Sequence, residues 1–145
     1  MGLFGLFGKK KKPKSVWDEL MENPGMKLMV EVNDEMRKQN AIDGRTEDEL
    51  PEGIGEFGLV PTNPIPTNSV MGSILYLGGL RTYNDERVNN IRLGSVAAGN
   101  VKHPIDKYSI TNQNGEEIAI IYISPYQARN SRKAPDGLKQ VSPLL

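Results

Sequence analysis

The chain has 145 residues, with 18 basic and 18 acidic side chains, no cysteine and one histidine, His103. These counts exclude a disulfide scaffold, a thiolate-held zinc or iron–sulfur centre, a cysteine nucleophile and any site needing two histidines from one chain. The length suits a single domain with a real core, and the longest apolar run is far below the ~20 residues that cross a bilayer.

Formal neutrality conceals three blocks of charge. Residues 1–14 hold Lys9, Lys10, Lys11, Lys12 and Lys14 with no acid; residues 15–60 hold twelve acids against four bases; residues 61–145 hold nine bases against six acids. The acidic middle speaks against nucleic acid as a partner, which needs a basic face with few opposing charges. In the first block Leu3, Phe4, Leu6 and Phe7 precede the lysines, the reverse of a secretory leader, and Leu6 breaks the myristoylation pattern. The segment reads either as a flexible tail, because Gly2, Gly5 and Gly8 discourage a helix, or as a membrane contact. In the membrane reading the apolar side chains enter the interface while the lysines meet anionic lipid. A bacterial-type cytoplasmic protein, with or without that membrane contact, is the expectation.

Ser15-Val-Trp-Asp18 is close to a capping box and opens a helix that Asn23-Pro24-Gly25 should stop. In Met26 to Asn40, Leu28, Met29, Val32 and Met36 fit helical spacing while Leu28, Val30 and Val32 fit a strand; length and composition favour helix. Gly44 is a plausible stop, and Thr46-x-x-Glu49 opens at most a short turn. Residues 51–66, dense in glycine and proline, read as an irregular connector. The organisation expected is therefore a tail (1–14), an acidic helical segment with connector (15–60), and a core domain (61–145).

In the last block Asn68 or Ser69 caps an apolar helix, Val70 to Leu80, which Gly78-Gly79 can end. Val88 to Val96 reads as a strand. Tyr108 and Ile110 alternate toward Asn114-Gly115, read as a two-residue hairpin turn, and Ile118 to Ile123 returns apolar on both faces. The fold class expected is α+β: a small antiparallel sheet of at least three strands packed against one to three helices. Its core should contain Ile74, Leu77, Leu80, Ile91, Leu93, Ile110, Ile118, Ile120, Tyr122 and Ile123.

Four stretches could carry chemistry. Pro61 to Ser69, small and polar before a helix, could present backbone N–H groups to an anion, or serve only as cap and rigid turn. Arg92-Leu-Gly-Ser95 could cradle a phosphate or carboxylate, or Arg92 could pair with Asp106. Tyr126 to Pro135 clusters Arg129, Asn130, Ser131, Arg132 and Lys133; it could hold a phosphate, an RNA single strand or an acidic protein patch, fold back on the chain's own acidic segment, or be a plain solvated loop. His103-Pro-Ile-Asp106 could supply a base and its carboxylate with Ser95 or Ser131 as nucleophile, but no nucleophile elbow or oxyanion sequence accompanies it.

Residues 63–137 resemble small uncharacterised bacterial proteins in a recurring pattern. Its pieces here are Asn63-Pro-Ile-Pro66, Tyr76-Leu77 with Leu80-Arg81, Arg92-x-Gly94-Ser95, Ile105-Asp106-x-Tyr108, Tyr122 with Tyr126, Asn130-Ser131 and Ala134-Pro135-x-Gly137. The resemblance covers about half the chain and implies no activity, cofactor or site residue.

The function expected is a non-enzymatic interaction module that meets an acidic partner protein through Arg129, Asn130, Ser131 and Arg132, with Arg92 assisting. The alternative is a binder or enzyme for a phosphate- or carboxylate-bearing small molecule, using Arg81, Arg92, Ser95 and Tyr126. No catalytic residue, metal ligand or cofactor is assigned.

Overall fold

The computed structural model describes residues 15–141, which fall in two compact units divided between Val32 and Asn33. Helix α1 runs Val16–Glu22 and helix α2 Pro24–Asp43. The capping box forms as read: Asp18 N–H donates to Ser15 Oγ (3.1 Å) and Ser15 N–H to Asp18 Oδ2 (3.3 Å). Asn23-Pro24-Gly25 both stops α1 and starts α2. Asn23 Oδ1 accepts from the N–H groups of Gly25 (2.9 Å) and Met26 (3.1 Å), and Pro24 takes the first helical position, where its missing donor costs nothing. The ambiguous segment is thus helical from Pro24 to Asp43, with Leu28, Met29 and Val32 exposed and Asn40 buried.

The second unit is α+β. Strand β1 is Ile65–Pro66, helix α3 Ser69–Gly78, β2 Leu80–Arg81, β3 Asn89–Val96, β4 Ile105–Thr111, β5 Glu117–Ser124 and β6 Lys139–Gln140. The main sheet has the order β1-β5-β4-β3; β3, β4 and β5 are antiparallel, and β1 adds a short parallel strand from the proline-rich connector. Its one proline, Pro66, is tolerated because β1 lies at the sheet edge and is only two residues long. Strands β2 and β6 form a separate antiparallel pair.

The β4–β5 turn is longer than two residues. Asn112 N–H donates to Glu116 O (2.9 Å) and Gly115 N–H to Asn112 O (3.0 Å), so only Gly115, at φ +81°, needs the left-handed region. Asn112 Oδ1 holds the loop by accepting from Asn114 N–H and Glu116 N–H.

The core differs from the one expected. Leu77, Leu80, Ile110 and Ile123 are buried, joined by Ile65, Tyr76, Tyr108, Ile121 and Leu138. Ile91 (62% exposed), Leu93 (51%), Ile118 (41%) and Ile74 (55%) are not, and Ile120 and Tyr122 are half-buried. Register explains the strand residues: Tyr108 pairs with Ile121 and Ile110 with Ala119, so those positions share the covered face. Ile118, Ile120 and Tyr122 alternate onto the other face. β5 is interior in the sheet, with strands on both sides, yet only one of its faces is packed. Ile121→Ala should therefore lower stability by about 2–5 kcal/mol, against less than about 1 kcal/mol for Ile118→Ala, read as urea midpoints.

Candidate functional site

Helix α3 packs by its small residues. Ser69, Gly72 and Ser73 are buried beside Tyr76 and Leu77, while Val70, Met71, Ile74 and Leu75 face outward. A Cβ at Gly72 would stand 2.7 Å from Asn130 Oδ1, so the close approach there requires glycine. Ser73 Oγ donates to Ser69 O (3.1 Å) and shares a hydrogen bond of 2.7 Å with Thr67 Oγ1. Of the three residues expected in the core from this stretch, Leu77 and Leu80 are buried and Ile74 is turned outward, because the inward side of the first turns fits against polar backbone.

That backbone is residues 124–131. Asn130, buried, donates from Nδ2 to Gly72 O (2.7 Å) and accepts at Oδ1 from Asn68 N–H (2.8 Å). Ser131 N–H donates to Pro66 O (2.9 Å), Gln127 N–H to Thr67 O (3.0 Å) and Ala128 N–H to Arg45 O (2.8 Å). The loop is ordered by these bonds and lies between residues 63–69 and residues 43–50.

Its cations meet the chain's own acids. Asp48 Oδ1 accepts from Arg129 Nη1 (2.8 Å) and Arg132 N–H (2.9 Å) with Arg132 Nε at 3.6 Å, while Ser131 Oγ donates to Asp48 O (2.6 Å). Lys133 Nζ donates to Glu49 Oε2 (2.8 Å) and stands 4.9 Å from the Phe57 ring centroid. Partial burial alone would raise the Asp48 carboxyl, but the Arg132 N–H and the Arg129 guanidinium hold it below its ordinary value. The Lys133 ammonium and then the Asn63 amide do the same for Glu49.

The other expected residues lie apart. Arg92 Nη2 donates to Asp106 Oδ1 (2.9 Å) and Ser95 Oγ (2.9 Å) on the β3–β4 side of the sheet, and its hydrogen bond to the Asp106 carboxylate raises the guanidinium's pKa. Arg81, on β2, donates to Gly78 O and Leu80 O. Tyr126 stacks on His103 with centroids 4.3 Å apart. Of the four residues of the small-ligand reading, Arg92 and Ser95 share β3, while Arg81 lies on β2 and Tyr126 in the loop after β5. The serines considered as nucleophiles are engaged elsewhere, Ser95 with Arg92 and Ser131 with Asp48, and Asp106 is held by Arg92.

The structure does bring Arg129 to a concavity of about 210 Å³ with Arg37, Asn68, Ser69, Met71 and Leu75. A shallower trough of about 430 Å³ adjoins it, sharing Arg37, Asn68 and Ala128. Arg37 makes no ion pair among the described residues. Asn68 Nδ2 donates to Ala128 O (2.8 Å), and its buried Oδ1 has no hydrogen-bond partner. Ser69 adopts φ +72°, a strained conformation for a residue with a Cβ, held by its N–H donating to Pro125 O (2.8 Å). Arg37, Met71 and Leu75 were not candidates from sequence. The legible clue was that α3 alternates a small pair, Gly72-Ser73, with two large apolar pairs, 70–71 and 74–75.

A second cleft, about 250 Å³, gathers Asp43, Arg45, Glu52, Lys102, His103 and Tyr126, with Arg45 Nε 3.7 Å from Glu52 Oε1. Among the described residues no group of acids and histidine is arranged to hold a metal ion. No family model, curated protein or solved structure matches the chain.

The Asp48 and Glu49 carboxyls are depressed when folded, so their contribution is present above the unfolded carboxylate range and lost as pH falls through their lowered values. Stability measured between about pH 5 and pH 2 should fall less steeply for Asp48→Asn with Glu49→Gln than for the wild type.

Proposed function

We propose that the protein is a non-enzymatic binding module whose site is the concavity between α2, the start of α3 and residues 128–129. Its partner in this reading is an acidic, amphipathic segment of another protein. The observation that carries it is the presence of two guanidinium groups and two outward apolar side chains in one lining: Arg37 and Arg129 with Met71 and Leu75. Guanidinium groups bind carboxylates through charge-assisted, often bidentate hydrogen bonds, and methionine adapts to irregular apolar partners. A segment carrying acids beside apolar anchors uses both kinds of contact.

In this reading the basic loop divides its work. Arg129 touches the partner, Asn130 and Ser131 position the loop, and the exposed Arg132 adds positive charge beside Asp48. Ser69 contributes shape, not nucleophilicity: it is fully buried, and its hydroxyl accepts from Gly72 N–H at 3.5 Å. A small phosphate or carboxylate ligand in the same concavity is the second reading, favoured by its polar wall at Asn68 and Ser69. The kinship of residues 63–137 with small bacterial proteins stands beside both readings as a proposal.

The test is fluorescence anisotropy with a labelled amphipathic peptide bearing glutamates, and the same peptide with lysines in their place. The acidic peptide should bind, and Arg37→Glu should weaken it about tenfold or more, which is about 1.4 kcal/mol. Met71→Ser should weaken it too, and Arg81→Glu should leave it unchanged. Equal binding of both peptides, or indifference to Arg37→Glu, removes the proposal. A thermal shift with phosphate or short carboxylates, lost in Arg37→Glu, transfers the site to the small-ligand reading; at ~100 times the dissociation constant it amounts to about 2.7 kcal/mol.

Residues 1–14 lie outside the described residues, and no described helix is long and apolar enough to cross a membrane. Their apolar-then-lysine order supports a further reading, contact with an anionic membrane surface. The full chain should co-sediment with vesicles containing phosphatidylserine and lose that binding when Lys9 to Lys12 become glutamate. Equal binding of the two proteins ends this reading.

A further inference from the structure

We propose that two copies of this chain pair along their β3 strands, antiparallel about a two-fold axis, so that their main sheets join edge to edge. Strand β3 ends the sheet order, and no other element of the described residues pairs with its outer side. It is eight residues long, Asn89–Val96, an unusual length to leave as a free edge.

Exposed edges are ordinarily protected by lysine, proline, inward charge or a bulge. This strand contains no lysine, proline or acid. Its devices are the register shift between Arg92 and Gly94 and the single charge of Arg92, which Asp106 pairs. Its apolar side chains are open to solvent, Ile91 at 62% and Leu93 at 51%.

The chemistry of the edge favours a second copy over a charged foreign strand. Arg92 is the one charged residue of β3, and Asp106 neutralises it within the same protomer, so two β3 strands meet without like-charge repulsion. Asn89 and Asn90 are exposed, and their amides make no hydrogen bond among the described residues. Pairing about a two-fold axis at the middle of the strand sets Asn90 across from Ser95 of the second copy, where an amide can donate to the hydroxyl oxygen or accept its proton. Paired edges of this length form a small interface, at or below the low end of stable complexes, so the dimer should depend on concentration.

Sedimentation velocity of the full chain, from about 1 µM to about 1 mM, should show a reversible shift from one chain to two. Ile91→Lys and Leu93→Lys should each weaken that association at least about tenfold, because a lysine on an edge opposes pairing. Hydrogen exchange provides the second measurement and does not need a variant to fold. Amides of β3 should gain protection as concentration rises, and those of α3 should not. A chain that stays single over the whole range overturns the proposal. So does a dimer indifferent to both lysines in folded variants, or protection that arises on α3 instead. The arrangement is independent of the concavity at Arg37, and neither test decides the other.

Discussion

The buried amide of Asn130 sets a constraint that the rest of the second unit obeys. Its Oδ1 accepts the N–H of Asn68 and its Nδ2 donates to Gly72 O, so one side chain grips the backbone just before α3 and one turn into it. Removing the amide would leave a buried donor and acceptor without partners, at about 1–3 kcal/mol for each. Because Asn130 is so close, the facing helical residue must lack a side chain, and Gly72 meets that need. The loop carrying Asn130 is then secured by Ser131 and Arg132 on Asp48 and by Ala128 on Arg45. An acidic connector, a basic loop and a helix are thus joined through one polar seam.

That seam accounts for the exposed apolar surface. Where the first turns of α3 put Ser69, Gly72 and Ser73 inward, Val70, Met71, Ile74 and Leu75 are turned outward, while Tyr76 and Leu77 at its end enter the core. Exposed apolar groups gathered on one helical face are characteristic of surfaces that meet another molecule. The same geometry brings Arg37 and Arg129 to the start of that face. Asp48 neutralises part of the loop's charge, which is why, in the proposed reading, Arg37 of α2 takes a larger share of recognition than the cluster 129–132.

Much of the architecture was legible because it rests on local chemistry. The capping box at Ser15, the strands near residues 88–96, 106–112 and 117–124, and the helix after Asn68 each follow from hydrogen bonds or alternation within a few residues. The turn at Asn112 to Glu116 was legible in place but not in type, since the side chain of Asn112 stabilises a longer loop. The site was less legible. Arg92 with Asp106 and the loop cations with the acidic segment were both foreseen as pairings, but Arg37 was not, because its importance depends on which face of α2 meets the body.

The short strands β1, β2 and β6 were not legible in the sequence. The sequence by itself determined the classes of chemistry open to this chain and the type of its longer helices and strands, and it offered the meeting of acids and bases within the chain as one of its readings. Those properties depend on composition and on neighbours close along the chain. Only the tertiary structure decided which side of α3 is inner and which face of the β-sheet is covered. Hydrophobic periodicity marks a face as apolar, but it cannot say whether the space opposite holds hydrocarbon or, as at the start of α3, a polar backbone that leaves room for small side chains alone.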